Sequence, residues 1–165
     1  MNTNILLENA VNNAPNQTGI IYEGQHFTYR EIFQEVNKLT NVLLQIGCTK
    51  GTRIGVISRN CPEMVYLYYA TARIGAIFIP LDYKESNQAL LTMIDIVRPE
   101  YIFVDNDCIN LCISIHHEMP GVHNIISFQK RVKISIILNV VHVIIYFAVI
   151  HAVLYGYRIL DIRNT

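Results

Sequence analysis

The chain of 165 residues has few charged side chains and no net charge. Asp, Glu, Lys and Arg make up 16% of it, against about 25% in an average globular domain. Thirteen basic residues balance thirteen acidic ones, which argues against a nucleic-acid-binding protein, because such proteins carry a basic excess. Intrinsic disorder is also excluded, since 52% of the residues are hydrophobic. A chain of this length can bury a core that is stable without disulfide bonds.

The first residues do not predict a secretory leader. Residues 1–4 (MNTN) provide neither a basic segment nor the start of an apolar one. We therefore predict a cytoplasmic protein whose cysteines stay reduced. The cysteines are Cys48, Cys61, Cys108 and Cys112.

Potential zinc ligands are concentrated late in the chain, at Cys108, Cys112, His116, His117 and His123. If residues 108–117 form a helix, a rise of 1.5 Å per residue places the α-carbons of Cys108 and His116 about 12 Å apart. Zinc holds its ligands at about 2.0–2.3 Å, so these two residues do not easily share an ion. We predict no metal site and interpret the cysteines as core residues.

Hydrophobic periodicity and capping residues predict alternating strands and helices. Thr28 and Glu31 form a capping box at the start of the clearest helix, which ends at Gly47. Pro62 suits the first turn of a helix that ends before Gly75, and Ser86 begins another. The predicted helices cover residues 5–13, 28–46, 62–74, 86–97 and 108–117, and the predicted strands cover 19–22, 26–28, 53–58, 76–80, 101–105 and 124–127.

The strand and helix alternation from residue 53 to 127 is typical of βαβ units. It predicts an α/β fold with a partial, doubly wound and mainly parallel sheet and helices on both faces. A hydrophobic C-terminal helix completes the prediction, since residues 134–157 contain no Asp, Glu, Lys or Arg. Residues Ile134–Leu154 would span about 32 Å as a helix, close to the thickness of a bilayer core.

Five segments, in order, resemble the AMP-forming adenylating enzymes: acyl-CoA synthetases, luciferases and the adenylation domains of peptide synthetases. The first core motif of that family is similar to FTYREI, and the second, "K-x-G-A-x-x-x-P-L-D/N", is similar to ARIGAIFIPLD. The segments KGTRIGV, NCPE and RPEYIFV resemble the strands and the helix start between and after those motifs. The five segments occupy residues 27–32, 50–56, 60–63, 72–82 and 98–104.

The resemblance covers residues 5–128 and implies a truncated, N-terminal piece of such a ligase. The intact family activates a carboxylic acid with ATP and magnesium and usually transfers the acyl group to CoA. This sequence lacks the glycine-rich loop S-G-T-T-G-x-P-K-G, whose backbone N–H groups and lysine hold phosphate. We therefore assign no catalytic, nucleotide-binding or metal residue, expect no cofactor for this chain alone, and interpret Asp82 as structural. The tyrosines Tyr66, Tyr68 and Tyr69 are interpreted as packing residues.

The chain divides at about residue 128. Residues 1–128 are the ligase-like part, and residues 129–165 are a hydrophobic tail preceded by Lys130, Arg131 and Lys133. Three interpretations of the tail after Ser127 stay open: a membrane segment through Ile134–Leu154, a soluble element, or translated noncoding sequence. The function predicted from the sequence is that of a truncated, non-catalytic relative of acyl-adenylate-forming ligases. Two alternatives stay open: a membrane-tethered, non-catalytic interaction module that pairs with a homologous ligase subunit, and a gene-model fragment of an intact carboxylic acid–CoA ligase.

Overall fold

A computed structural model describes residues 4–119, 121–122, 124–128 and 158–160. The chain begins with helix α1 and a β-hairpin, continues with helix α2, and then alternates between strands and helices. The helices are α1 (Asn4–Asn13), α2 (Tyr29–Gln45), α3 (Pro62–Ile74), α4 (Asn87–Val97) and α5 (Ile109–Ile115), the last followed by a 3₁₀ turn at His116–Glu118. The strands are β1 (Thr18–Tyr22), β2 (Gln25–Thr28), β3 (Arg53–Ile57), β4 (Ile77–Leu81), β5 (Tyr101–Val104), β6 (Asn124–Ser127) and β7 (Arg158–Leu160).

Most predicted helix ends are confirmed, but the C-cap of α2 is Ile46 instead of Gly47, and α5 covers Ile109–Ile115 instead of residues 108–117. At the start of α2, the Thr28 backbone N–H donates to Glu31 Oε2 over 2.8 Å and the Glu31 N–H donates to Thr28 Oγ1 over 3.3 Å. Each bond satisfies an N–H group that the first helical turn leaves without a partner. Gly75 ends α3 in the left-handed conformation, with φ of 74°, where a side chain would be strained.

Five strands form the main sheet in the order β4-β3-β5-β6-β7. Strands β4, β3, β5 and β6 are parallel, while β7 pairs antiparallel with β6. Strands β1 and β2 form a separate antiparallel hairpin. The α/β class and the mainly parallel sheet are therefore confirmed.

Alternation along the strands builds a core on each face of the sheet. Tyr101 and Phe103 pack in the core that contains α2 and α3, whereas Ile102 and Val104 pack in the core that contains α4 and α5. Successive side chains of a strand point to opposite faces, so a strand buried on both sides is apolar throughout. All four residues of β5 are buried, and the helices on both faces of the sheet match the sequence prediction.

The prediction of a hydrophobic C-terminal helix is not supported. Residues Ile134–Leu154, and with them the proposed membrane span, lie outside the described residues. No helix in the described part of the chain has the length and hydropathy that crossing a membrane requires. The tail residues that the structure does describe form strand β7, whose Arg158 pairs with Ser127. This strand occupies the edge of β6, because the open hydrogen-bonding edge of a sheet accepts a further strand.

Candidate functional site

The sheet changes its winding direction between β3 and β5. From β3 the chain passes through α3 to β4 on one side, and from β5 it passes through α5 to β6 on the other. Helices α3 and α5 belong to the cores on opposite faces. The loops that follow two such strands separate and leave a crevice at their carboxyl ends, which is where open α/β sheets bind ligands. The residues that follow Ile57 and Val104 lie at this edge of the sheet.

Asp105 accepts hydrogen bonds from both loops at this crevice. Its Oδ2 accepts the Arg59 backbone N–H over 2.8 Å, and its Oδ1 accepts the Cys108 backbone N–H over 2.8 Å. Partial burial alone would raise the pKa of Asp105, but these hydrogen bonds and the charge of Arg59 outweigh it and hold the pKa below its usual value. The ionised carboxylate thus connects the loop after β3 to the loop after β5.

The Arg59 guanidinium is paired with two carboxylates. Its Nε lies 3.5 Å from Asp105 Oδ2, and its Nη2 contacts Asp107 Oδ2. The charge of Asp107, followed by that of Asp105, raises the pKa of Arg59. One cation between two carboxylates leaves the cluster with a net charge of −1. An anion approaching this crevice therefore meets a positive charge that is already neutralised.

Ser58 and Cys61 lie beside this cluster. Ser58 Oγ is 2.7 Å from the Arg59 carbonyl oxygen, 3.5 Å from Asp105 Oδ2 and 3.5 Å from Cys61 Sγ. Burial raises the pKa of the Cys61 thiol, so it stays protonated at neutral pH and is a poor nucleophile. The carboxylate beside Ser58 is that of Asp105, whose lowered pKa makes it a weak base. Its hydrogen bonds hold the two loops together.

An apolar groove extends from the crevice along α3. Its volume is about 280 Å³, slightly below that of the smaller ligand pockets of proteins. Tyr68 forms part of its wall and packs edge-on against Phe78, with ring centroids 5.6 Å apart. The groove is lined by Asn60, Cys61, Met64, Val65, Tyr68 and Phe78.

The tyrosines of α3 have different surroundings. Tyr66 is buried in the core, and burial is the main reason that its pKa is raised. Tyr69 is half-buried and contacts Tyr68 with ring centroids 5.4 Å apart. These are packing contacts, as the sequence interpretation proposed.

The potential zinc ligands do not converge. Cys108 and Cys112 are buried, and burial raises the pKa of each thiol to about 12. The ring of His116 packs on that of His117, with centroids 3.6 Å apart, and its Nδ1 lies 2.6 Å from the Ile113 carbonyl oxygen. Within residues 4–119, 121–122 and 124–128, no three His, Cys, Asp or Glu side chains are placed to hold a metal ion. His123 lies outside the described residues.

Asp82 forms a turn. Its Oδ1 accepts the Lys84 backbone N–H over 3.0 Å, and its carbonyl oxygen accepts the Glu85 N–H over 3.2 Å. This local hydrogen bonding is common for aspartate after a strand. It agrees with the structural interpretation of Asp82.

The sequence analysis missed the cluster of Arg59, Asp105 and Asp107. The sequence did contain a sign of this cluster, since the charged residues Arg59 and Asp105 each follow closely after an apolar strand. The carboxyl ends of parallel strands meet at one edge of a sheet, so polar residues there come together. What the sequence did not provide was the strand order, which makes β3 and β5 neighbours.

Comparison with known proteins agrees with this fold. The profile of the AMP-binding enzyme family matches residues 7–143. Over 71 residues, the chain is 32% identical to a crotonobetaine/carnitine–CoA ligase of Salmonella arizonae, a match that covers 40% of this chain and 14% of the relative. Over 69 residues, it is 41% identical to an acetyl-coenzyme A synthetase of Cryptosporidium parvum, covering 38% of this chain and 10% of the relative.

Solved structures with the same fold include two ligases. A protein described as a long-chain-fatty-acid CoA ligase of Rhodopseudomonas palustris superposes with a TM-score of 0.74 at 22% identity, covering 81% of this chain and 34% of that one. Coronafacic acid ligase of Pectobacterium brasiliense superposes with a TM-score of 0.71 at 21% identity, covering 76% and 25%. The chain thus spans a minor part of the length of these proteins. Because the family profile covers most of its sequence, the chain belongs to the AMP-binding enzyme family, as a piece that corresponds to only part of a family member.

Proposed function

We propose that this chain provides the opening part of the scaffold of an acyl-adenylate-forming ligase and does not by itself activate a carboxylic acid. The relatives named above are CoA ligases and a CoA synthetase, so the reaction of the whole protein would join a carboxylic acid to CoA through an acyl adenylate, with ATP and magnesium. The cytoplasmic location stays a prediction.

The observation that carries the proposal is that the Arg59 guanidinium is already paired with two carboxylates. Phosphoryl groups are held by preorganised N–H donors and by cations whose charge is available. Arg59 is the cation at the switch-point crevice, and two carboxylates already occupy its guanidinium. The cluster of Arg59, Asp105 and Asp107 has a net charge of −1, which repels a polyphosphate. The carboxylate oxygens of Asp105 accept backbone N–H groups. This crevice therefore does not fit ATP, and within the part of the chain that the structure describes no three His, Cys, Asp or Glu side chains are placed to hold a magnesium ion.

The direct test is acid-dependent exchange of labelled pyrophosphate into ATP by the purified 165-residue chain. Acetate, crotonobetaine and a long-chain fatty acid are offered in turn, since these represent the acids in the relatives' names. We expect exchange at the level of a blank, while an intact relative assayed in parallel gives a strong signal.

A matched variant separates the chain's own activity from that of a contaminating host ligase. Asp107→Asn leaves the backbone bonds of Asp105 intact and changes only the crevice charge. Exchange that follows the chain through purification and responds to Asp107→Asn would overturn the proposal. Exchange that is identical in wild type, variant and a mock preparation is host activity and agrees with it.

A further inference from the structure

Two thiols, those of Cys108 and Cys112, lie next to the crevice. The Cys108 backbone N–H donates to Asp105 Oδ1 over 2.8 Å. Cys112 follows one helical turn later, because its backbone N–H donates to the Cys108 carbonyl oxygen over 3.1 Å. Both side chains are buried in the core that contains α4 and α5. The pair therefore has one member behind Asp105 and the other deeper in the core.

The spacing of the two thiols suits an ion held between two sulfur atoms. Side chains one helical turn apart have Cβ atoms about 5–6 Å apart. A metal–sulfur bond of about 2.3 Å on each side of an ion places the two sulfurs about 4.6 Å apart, a separation that such Cβ atoms can support. A disulfide requires Cβ atoms at about 3.5–4.5 Å, so the helix would have to distort before the pair could oxidise.

The number of ligands selects the type of ion. Structural zinc sites have four ligands, and among the described residues no further His, Cys, Asp or Glu completes a group of three that could hold a metal ion. Soft cations that bind two thiolates in a line, such as Cu(I) and Hg(II), need only the pair. The geometry therefore favours a two-coordinate, thiophilic cation.

Charge distinguishes between these cations. Burial raises the pKa of the Cys108 and Cys112 thiols to about 12, because an isolated thiolate is poorly solvated in the core. Two thiolates and one divalent cation form a neutral unit, which burial does not penalise in this way. Two thiolates and one monovalent cation would keep a charge of −1 close to the Asp105 carboxylate. A divalent cation is therefore favoured over a monovalent one.

The crevice provides a route to the pair. The cluster of Arg59, Asp105 and Asp107 has a net charge of −1, so it attracts cations while it repels anions. Cys108 directly follows this cluster in the chain and is tied to Asp105 by the backbone hydrogen bond. A cation drawn to the crevice thus meets Cys108 first and Cys112 second.

We propose that Cys108 and Cys112 form a two-coordinate site for a soft divalent cation, represented by Hg(II). Binding replaces two S–H bonds with two S–Hg bonds and releases two protons to the solvent, and no atom changes its oxidation state. The inference goes beyond the proposed function, which assigns no part to these two thiols.

The experiment adds about one equivalent of Hg(II) to the full, reduced 165-residue chain and then an excess of glutathione, which is a monothiol. Native mass spectrometry should show one mercury ion per chain and the loss of two protons. X-ray absorption at the mercury edge should count two sulfur ligands. Two thiols on one helix act as a chelate that a monothiol displaces slowly, whereas Cys48 and Cys61 each offer a single thiol.

Variants locate the site. Cys108→Ala and Cys112→Ala should each weaken mercury retention by about a hundredfold or more, because the chelate is lost. Cys48→Ala is the matched control, since Cys48 is also a buried cysteine but lies in the core on the other face of the sheet. Cys61→Ala tests the half-exposed thiol, and both controls should leave retention unchanged. Circular dichroism checks that the variants fold, and the sulfur count in the wild type decides the matter if one of them does not.

Several results would overturn the inference. They are unchanged retention in Cys112→Ala, a count other than two sulfurs, retention of Zn(II) as firmly as Hg(II), and a disulfide between Cys108 and Cys112 that forms readily in the folded chain. Zinc retention would reveal additional ligands, and the disulfide would place the two sulfurs too close for an ion. These measurements involve neither ATP nor a carboxylic acid, so the proposed function is tested separately by pyrophosphate exchange.

Discussion

The guanidinium of Arg73 lies over the ring of Phe33, with its carbon 5.0 Å from the ring centroid. This contact joins the end of α3 to the first half of α2. The same guanidinium hydrogen-bonds Asn37 Oδ1 and lies 3.7 Å from Glu8 Oε1 on α1. One side chain thus connects the three helices that cover this face of the sheet.

We expect Arg73→Ala to lower the free energy of unfolding by about 1–3 kcal/mol, since it removes a charge-assisted hydrogen bond and a cation–π contact from a largely buried site. Arg73→Lys should recover only part of this, because an ammonium lacks the planar fork. Lys38→Ala is the control, because it removes one partly buried i,i+3 ion pair within α2, worth about 0.5 kcal/mol. Urea unfolding measures all three, and equal effects at Arg73 and Lys38 would contradict the assignment.

Asp105→Asn should lower the free energy of unfolding at pH 7 by about 1–3 kcal/mol, because the amide cannot replace a carboxylate that accepts two backbone N–H groups. The pKa of Asp105 is lowered in the folded protein. Its contribution is therefore complete above the unfolded pKa of about 3.9 and is lost as the pH falls through the folded value.

The difference in the free energy of unfolding between the wild type and Asp105→Asn should accordingly become smaller below about pH 4. Asp95→Asn is a suitable control, because Asp95 is exposed and its partner Arg98 is 4.0 Å away. Unfolding curves measured from pH 7 to pH 3 give the comparison. A difference that is constant over this range would show that the ionised carboxylate of Asp105 does not stabilise the crevice.

Thr28→Ala should lower the free energy of unfolding by about 0.5–2 kcal/mol, the usual effect of removing a helix N-cap. Thr92→Ala is the matched control, since Thr92 is exposed inside α4 and its hydroxyl donates to the Gln88 carbonyl oxygen of its own helix. Alanine is a better helix former, so this change should be neutral or stabilising. Thermal unfolding followed by circular dichroism distinguishes them, and equal melting temperatures would argue against the cap.

Gly75→Ala should destabilise the chain by about 1 kcal/mol or more, since φ at this position is 74° and a methyl group would also lie 3.1 Å from Lys50 Cγ. Gly24→Ala has the same type of backbone strain, with φ of 75°, but an added Cβ meets no atom within 4 Å. The difference between the two variants therefore reports the contact with Lys50. Denaturant unfolding of both variants provides the measurement, and the absence of any difference would assign the whole effect to the backbone.

Local signals predicted the elements well and the crevice poorly. The Thr28–Glu31 capping box, Pro62, Gly75 and Ser86 each act within one helical turn, so the sequence marks the helix ends directly. Asp105 and Arg59 are 46 positions apart, and their contact depends on β5 lying beside β3. Strand order depends on how the crossover helices cover both faces, which residue spacing does not encode. Strand β7 was missed for the same reason, because its partner β6 is distant in sequence.

The pairing of β7 with β6 has a kinetic consequence. Strand β7 lies at the edge of the sheet and pairs with β6 through three residues, Ile125–Ser127 opposite Arg158–Leu160. Strand β3 instead pairs with a neighbour on each side, β4 and β5, and its residues Ile54, Val56 and Ile57 are buried. Strand β7 should therefore join the sheet last and leave it first, and amide hydrogens at the β6–β7 boundary should exchange with solvent before those between β3 and β5.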